Sequence, residues 1–366
     1  MTSLMPDNRR ARIVSELRSS GMLRATELAD RLGVAPVTIR RDIVQMTDEG
    51  ILRRVRGGAE LNEAAATQSL AAGTRVPMPG ATLGMIVPTL EYYWPGIVQG
   101  AKAEAELRSA NLVLRGSSYE STTDRAQIER LLDEGVDGLL LAPDVSSPAT
   151  PDLLAWLAEV GVPTVLVERD VQTTAAVAVE SVNTDHDIGA LLAVSHLVGL
   201  GHRRIAIMAS SRSPHRQEIV RGWDVGAHHA GAEALTFPLE FAPVGSVEDD
   251  VSVIERALGA ALEAGVTAVL VHADREAMTL AQLAQHRGLS VPDDLSVVAY
   301  DDEVAELFTP PLTAIRPPRY DIGVAAVSLV TQRIANPDWP AHRIVVAPQL
   351  RVRSSTGRPP ATPDPT

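Results

Sequence analysis

The chain has 366 residues, 45% of them hydrophobic, with 33 basic and 46 acidic side chains and no cysteine. This length suits two or three domains whose cores need no disulfide or metal staple, and the missing cysteines exclude a disulfide framework, a thiol nucleophile, an iron–sulfur cluster and a thiolate zinc site. Residues 1–12 hold no apolar stretch behind their charges, and no window approaches the ~18 apolar residues of a membrane span, so a cytoplasmic protein with no membrane partner is expected.

The formal net charge of −13 is unevenly spread. Residues 9–58 carry eleven arginines against six acids, a balance of +5, whereas residues 81–366 carry 21 basic against 37 acidic side chains, a balance of −16. A basic head on an acidic body is the asymmetry expected when only one end meets nucleic-acid phosphate.

Residues 7–61 are dense in charge and helix formers. Ile13, Val14 and Leu17 share one helical face. Residues 26–32 make a second short helix, with Thr26 as N-cap and Gly33 supplying the positive φ at its end. Pro36 suits the first position of a third helix over residues 37–43, on which Ile39 and Ile43 face inward. Val37, Thr38, Arg40 and Arg41 are left toward solvent, where hydroxyl and guanidinium groups can read base edges in a major groove. Residues 50–59 read as a strand, a tight glycine turn and a return strand, a wing whose Arg53, Arg54 and Arg56 reach phosphates or the minor groove.

The stretch Asp30-Arg-Leu-Gly-Val-Ala-Pro-Val-Thr-Ile-Arg-Arg-Asp42, followed by Glu49-Gly-Ile-Leu-Arg-Arg-Val-Arg-Gly-Gly58, resembles the winged helix-turn-helix of the DeoR family of bacterial transcriptional regulators over residues 7–60. The candidate DNA-binding residues are Thr26, Pro36, Val37, Thr38, Arg40, Arg41, Arg54, Arg56 and Gly57. One departure is Ala35, where that family usually places a serine N-cap, a change worth ~0.5–2 kcal/mol of local stability.

Residues 62–80, with Ala64-Ala65-Ala66 and Pro77-Met78-Pro79-Gly80, lack periodicity and read as a linker. From Ala81 to about Arg353, short apolar runs at 82–88, 111–115, 138–142, 164–168, 204–208, 268–272 and 295–300 alternate with helix-length segments at 96–109, 123–134, 186–199, 249–264 and 276–287. Runs without polar alternation suit strands buried on both faces, and the helical spacers supply the crossovers that parallel strands require. The expected fold is α/β: a winged helix-turn-helix ahead of a two-lobed core with doubly wound parallel sheets. The lobes are expected at about 81–185 with 317–345, and 186–316 with 346–354. Four prolines among the last eight residues mark 355–366 as a disordered tail.

Several elements of the body, in order, resemble the effector-binding core of the LacI/GalR family, itself akin to periplasmic sugar-binding proteins, over residues 82–354. They are Ile86-Val87-Pro88 leading into Tyr92-Tyr-Trp94 and Gly100, Gly135-Val-Asp-Gly-Leu-Leu-Leu141, Gly161-Val-Pro-Thr-Val-Leu-Val167, Thr184-Asp185 with Gly189, Leu200-Gly-His-Arg-Arg-Ile205, Val291-Pro-Asp-Asp-Leu-Ser-Val-Val298, Tyr300-Asp301-Asp302 and Thr309-Pro-Pro-Leu-Thr313. Such a core closes two lobes on a small polar ligand at the carboxyl ends of its strands. Sugars call for flat aromatic faces and for planar carboxylates or guanidiniums that hold adjacent hydroxyls in pairs. Aromatics are only 3% of the chain, yet Tyr92, Tyr93 and Trp94 stand together in the first strand-end loop.

Asp301 matches the aspartate that clamps ligand in that family, and Glu168 falls where its members often place an acidic sugar contact. The arginine common three residues before the glycine found here as Gly222 is replaced by Ile219, leaving Arg212 and Arg216 as alternatives. Asp274 fits the pattern after His272-Ala273 and also reads as a helix N-cap, the favoured of the two readings. The candidate ligand-binding residues are therefore Tyr92, Tyr93, Trp94, Glu168, Arg212, Arg216, Asp274 and Asp301.

No dinucleotide fingerprint, nucleophile elbow, P-loop or His-Glu-x-x-His motif is present, so no catalytic residue, metal ligand or cofactor is assigned. Together the two resemblances imply a non-enzymatic, sequence-specific regulator, a repressor, forming a homodimer on operator DNA with half-sites ~34 Å or a multiple apart. Its small-molecule effector is expected to be a mono- or oligosaccharide. The rival readings are a regulator-fused sugar kinase, which needs an ATP-phosphate loop, and a DNA-binding protein with a degenerate body that senses nothing.

Overall fold

The structure is a computed structural model that describes residues 9, 12–13, 16–17, 22–48, 52–55, 58–61, 77–116, 124–145, 147–169, 179–241 and 250–360. The chain folds as two compact units, residues 1–77 and 78–366. Residues 62–76 of the expected linker, Val14, the wing-tip residues Arg56 and Gly57, and the end of the tail at 361–366 lie outside the described residues.

In the head, Arg9, Arg12, Ile13, Glu16 and Leu17 are helical, and strand β1 (Met22–Leu23) leads into helices α1 (Ala25–Leu32) and α2 (Pro36–Asp48). Strands β2 (Leu52–Val55) and β3 (Gly58–Leu61) pair antiparallel with Val55 opposite Gly58, and β1 adds to β3 to give the sheet order β1-β3-β2. Ile13, Leu17, Leu28, Ile39, Met46, Leu52 and Ala59 pack as one core under the helices and the sheet. At the end of α1, Gly33 takes φ 65°, a left-handed conformation that glycine adopts without a Cβ clash, and Val34 N–H returns to Ala29 O.

The expected N-cap at Thr26 is corrected. Helix α1 begins at Ala25, because the Glu27 carboxylate reaches back to accept the Arg24 N–H at 2.9 Å and fixes the first turn two residues earlier. Helix α2 starts at Pro36 as expected but runs to Asp48, past Ile43, since Met46 continues the buried stripe.

The second unit contains two six-stranded sheets. The first has the order β14-β8-β7-β6-β4-β5, all parallel, built from β4 (Thr82–Val87), β5 (Asn111–Gly116), β6 (Gly138–Leu141), β7 (Thr164–Val167), β8 (Glu180–Thr184) and β14 (Arg343–Val346). The second has the order β10-β9-β11-β12-β13-β15, from β9 (Arg204–Ala209), β10 (Glu233–Thr236), β11 (Ala268–His272), β12 (Ser296–Tyr300), β13 (Thr313–Arg316) and β15 (Gln349–Arg351). Only the β13–β15 pairing is antiparallel there. Every residue of β6, β11 and β12 is buried, as strands covered by helices on both faces must be.

The crossovers are α3 (Trp94–Leu107), α4 (Asp124–Asp133), α5 (Thr150–Val160), α6 (His186–Gly199), α7 (Arg216–Ala230), α8 (Asp250–Glu263), α9 (Asp274–His286) and α10 (Arg319–Ala335). The chain passes between the lobes three times, after β8, between β13 and α10, and between β14 and β15. Helices α3 and α10 meet through glycines: a Cβ on Gly100 would lie 2.0 Å from Tyr320 O, and one on Gly323 2.0 Å from Ile97 O. Any side chain at either position would force apart the helices that cover the first sheet.

The expectation of disorder from residue 355 onward is corrected for 355–360. Ser355 is fully buried, its Oγ accepting from Thr313 N at 2.8 Å and donating to Val297 O at 2.6 Å, while Gly357 N–H donates to Ser296 Oγ. Those backbone and hydroxyl bonds hold the segment to the second lobe despite its prolines.

Candidate functional site

The head exposes the outer side of α2. Val37 is 70% exposed at the start of α2, Pro36, Arg40 and Arg41 are exposed and Thr38 is half-buried, while Ile39 and Ile43 are buried beneath them. Thr26 is exposed in the first turn of α1, and Arg54 lies on β2. The orientation of α2 is held from its inner side, where Arg9 Nε meets the buried Asp42 carboxylate at 2.6 Å and a second guanidinium nitrogen meets it at 3.1 Å.

In the core, the strand-end loops of both sheets converge on a cavity of about 230 Å³, lined by Tyr92, Tyr93 and Trp94 after β4, Arg169 after β7, Ser210 and residues 212–215 after β9, His272, Ala273 and Glu276 around the end of β11, and Asp301 after β12. Five non-glycine residues among those described have positive φ, and four of them, Tyr92, Glu168, Asp301 and Asp302, sit in these loops. Such backbone strain persists where surrounding contacts over-determine it, and it concentrates at ligand sites.

Tyr92 reaches from the first lobe to the second. Its hydroxyl accepts the Asp274 N–H at 3.3 Å, and Arg275 lies over its ring at 5.4 Å. Burial, with the nearby Asp301 and Asp274 charges, pushes its phenol up. Tyr93 donates to Glu168 Oε1 at 2.9 Å and carries the Arg319 guanidinium over its ring at 5.5 Å. Trp94, at the start of α3, is buried edge-on to Tyr93 with Arg169 above it at 5.6 Å.

Asp301 is 5% exposed and lines the cavity; burial, opposed by Arg319 and His186, raises its carboxyl to about 6. Arg319, at the start of α10 in the first lobe, donates to Asp301 O and pairs with Glu303 at 2.6 Å, tying the lobes together beside that carboxylate. His272 Nε2 stands 3.9 Å from Asp301 Oδ1, and burial lowers the imidazole to about 4. His215 is likewise held well below its ordinary value by burial and by the neighbouring His186, Arg169 and His272. The wall thus offers neutral imidazoles, two guanidiniums and the Glu276 and Asp301 carboxyls around aromatic faces.

Three candidates fall elsewhere. Glu168 is fully buried outside the lining, accepting from Tyr93, from Thr184 N at 3.1 Å and from Thr184 Oγ1 at 2.6 Å. Burial alone would raise it, but His186 and those Thr184 donors outweigh burial and hold it below the usual carboxylate range. Asp274 is neither N-cap nor cavity wall. It is the first residue of α9, and its carboxylate accepts backbone N–H groups from Asp302, Glu303, Val304 and Ala305 at 2.7–3.2 Å, while Glu276 caps Ala273 N at 3.2 Å.

Of the two alternative arginines, Arg212 lines the cavity and pairs with Asp250 at 2.7 Å; Arg216 pairs with Glu240 outside it. Ile219 is fully buried in the second lobe's core. Arg169, Ser210, His215, His272 and Glu276 were not singled out, although the strand-end rule names the loops that carry them.

A periplasmic binding protein-like domain matches residues 194–356, and a DeoR-like helix-turn-helix domain matches residues 9–65. The chain is 27% identical over 344 residues to an arabinose metabolism transcriptional repressor of Geobacillus stearothermophilus, covering 90% of each chain. It is 30% identical over 285 residues to the HTH-type transcriptional regulator MalR of Streptomyces coelicolor, covering 76% of this chain and 81% of that protein. A LacI family transcriptional regulator from Enterococcus faecium, solved with bound ribose, shares its fold with a TM-score of 0.61 at 22% identity, over 75% of this chain and 98% of that one. No helix among the described residues is long and apolar enough to cross a membrane. The chain belongs to the LacI-type family of helix-turn-helix transcriptional regulators, carrying a DeoR-like DNA-binding head ahead of a periplasmic-binding-protein-like core.

Proposed function

We propose that the protein is a repressor whose affinity for operator DNA is set by a small sugar bound between the two lobes of its core. The observation that carries this reading is the cavity itself: Tyr92, Tyr93 and Trp94 on one side face Asp301, Arg212 and neutral imidazoles on the other. Aromatic faces stack on the C–H surface of a sugar ring, while a carboxylate accepts and a guanidinium donates in pairs to adjacent hydroxyls. A cavity of about 230 Å³ favours a monosaccharide over an oligosaccharide. The arabinose-metabolism role of one relative and the ribose in one structural neighbour make pentoses the first compounds to try.

Exposed Val37, Arg40 and Arg41 and half-buried Thr38 on α2 are the side chains proposed to enter the major groove, with Arg54 and Arg56 of the wing on the phosphates. Two chains acting as a homodimer would then occupy successive half-sites, and a change in lobe closure would alter the spacing of the heads. A thermal-shift screen of pentoses, hexoses and disaccharides tests the sensing half. One class is expected to raise the core's melting temperature in proportion to the logarithm of its concentration; a flat response across the panel refutes it.

A further inference from the structure

Beneath the cavity, at the seam between the lobes, Glu168 from the end of β7 meets His186 at the start of α6 and His215 just before α7. Each residue places a ligating atom within 4.8 Å of the others. We propose that this trio is a binding site for a borderline first-row divalent cation such as zinc, which would tie the first lobe to the second.

The central observation is an orphan. His186 is 4% exposed, its Nδ1 lies 2.9 Å from the Tyr300 hydroxyl, and its Nε2 is buried without a hydrogen-bond partner. The nearest carboxylate oxygen, Glu168 Oε2, is 3.6 Å away, too long for a hydrogen bond between these groups. For a zinc ion with ligands at about 2.0–2.2 Å, a nitrogen and an oxygen spaced about 3.4–3.6 Å apart subtend a near-tetrahedral angle. The gap is therefore the right size for a shared ion.

The surroundings fit that use. In the tautomer whose Nδ1–H donates to Tyr300, Nε2 presents its lone pair toward Glu168, the arrangement by which an outer hydrogen bond orients a ligating imidazole. The Glu168 carboxylate is itself held by Tyr93 and Thr184. His215 supplies the third ligand. Its ring stacks on His186 with centroids 4.0 Å apart and planes 25° apart, so it must turn to aim a nitrogen at the same point, and its place on the cavity wall gives it the space. Two imidazoles and one carboxylate leave a fourth position, on the cavity side, for water.

This inference does not depend on what the cavity binds, and its test uses no sugar. The untagged full chain, stripped with EDTA and desalted, is titrated with zinc chloride by calorimetry and with cobalt(II) by visible absorption. One ion per chain is expected, with the visible bands of a four-coordinate cobalt site. His186→Gln and His215→Ala should each weaken binding by at least about tenfold, whereas His228→Ala, on the exposed face of α7, should leave it unchanged. His215→Ala removes a side chain from the cavity wall rather than the core, so it keeps the test valid if His186→Gln misfolds. Absence of stoichiometric zinc, or binding that survives both substitutions, would overturn the proposal and leave a simple His–Glu contact.

Discussion

Replacing Asp274 separates a residue that touches effector from one that builds the wall behind it. Its carboxylate is fully buried and accepts four backbone N–H groups at 2.7–3.2 Å, three of them on one oxygen. Hydrogen bonds to a charged acceptor contribute about 1.5–3 kcal/mol each, but burial and the neighbouring Asp301 raise this carboxyl to about 7, so it is only partly ionised near neutral pH, and the freed loop can relax and gain water. Asp274→Ala is therefore expected to cost about 3–5 kcal/mol, the range for removing one partner of a buried charged network. Asp274→Asn retains one acceptor oxygen and should cost about 1.5–3 kcal/mol. All four tryptophans, at 94, 156, 223 and 339, lie in the core unit, so urea unfolding followed by tryptophan fluorescence reports that unit without a signal from the head. A variant within about 0.5 kcal/mol of the wild type that had lost its effector response would refute this reasoning and return Asp274 to the ligand.

Other outcomes follow from the same geometry. Asp301→Asn should abolish the effector response while leaving DNA affinity intact, measured by gel shift with and without the sugar found by thermal shift; a variant released as readily as the wild type would contradict the placement. Because burial raises Asp301 to about 6 and the ionised form is the stronger acceptor, taking hydroxyls on both oxygens, effector affinity should fall as pH drops through that value, by up to about tenfold per pH unit; calorimetry between pH 5 and 8 checks it. His272 has the opposite stability linkage to Asp301. Its lowered folded value means the unfolded chain takes a proton first, so its contribution is lost as pH falls from about 6.5 toward 4, by up to about 3 kcal/mol, readable in urea midpoints of the wild type against His272→Gln. Arg40→Ala should abolish operator binding with an unchanged core unfolding curve; an unaltered titration would remove α2 from the groove.

The extent to which the site could be read in advance differs between elements for physical reasons. Strands β4, β6, β11 and β12 are apolar runs buried on both faces and were legible as such. Strands β8, with Glu180, Ser181 and Asn183, and β10, only half-buried, carry no comparable run and are not among those read from the sequence. The strand-end rule points to the loops after β4, β7, β9, β11 and β12, which do line the cavity, and to the loop after β5, which lies outside the described residues; the Tyr92–Trp94 cluster stands in the cavity wall. Within those loops it could not say which way a side chain turns. Glu168 and Asp274 are spent on neighbouring hydroxyls and backbone N–H groups, and their partners, Thr184 and residues 302–305, lie 16 and 28–31 positions away in sequence. Thr26 is displaced as N-cap for a local reason, since Glu27 supplies the cap interaction from inside the helix.

The central claim is that a ligand between the lobes controls the head's hold on DNA. Fluorescence anisotropy of the intact chain on an operator selected from a random duplex library, titrated at fixed salt with the sugar found by thermal shift, tests it directly. The account predicts at least about a tenfold change in DNA affinity for the wild type, equal to about 1.4 kcal/mol of coupling, and none for Asp301→Asn. An affinity that stays constant while the sugar saturates the core would contradict it.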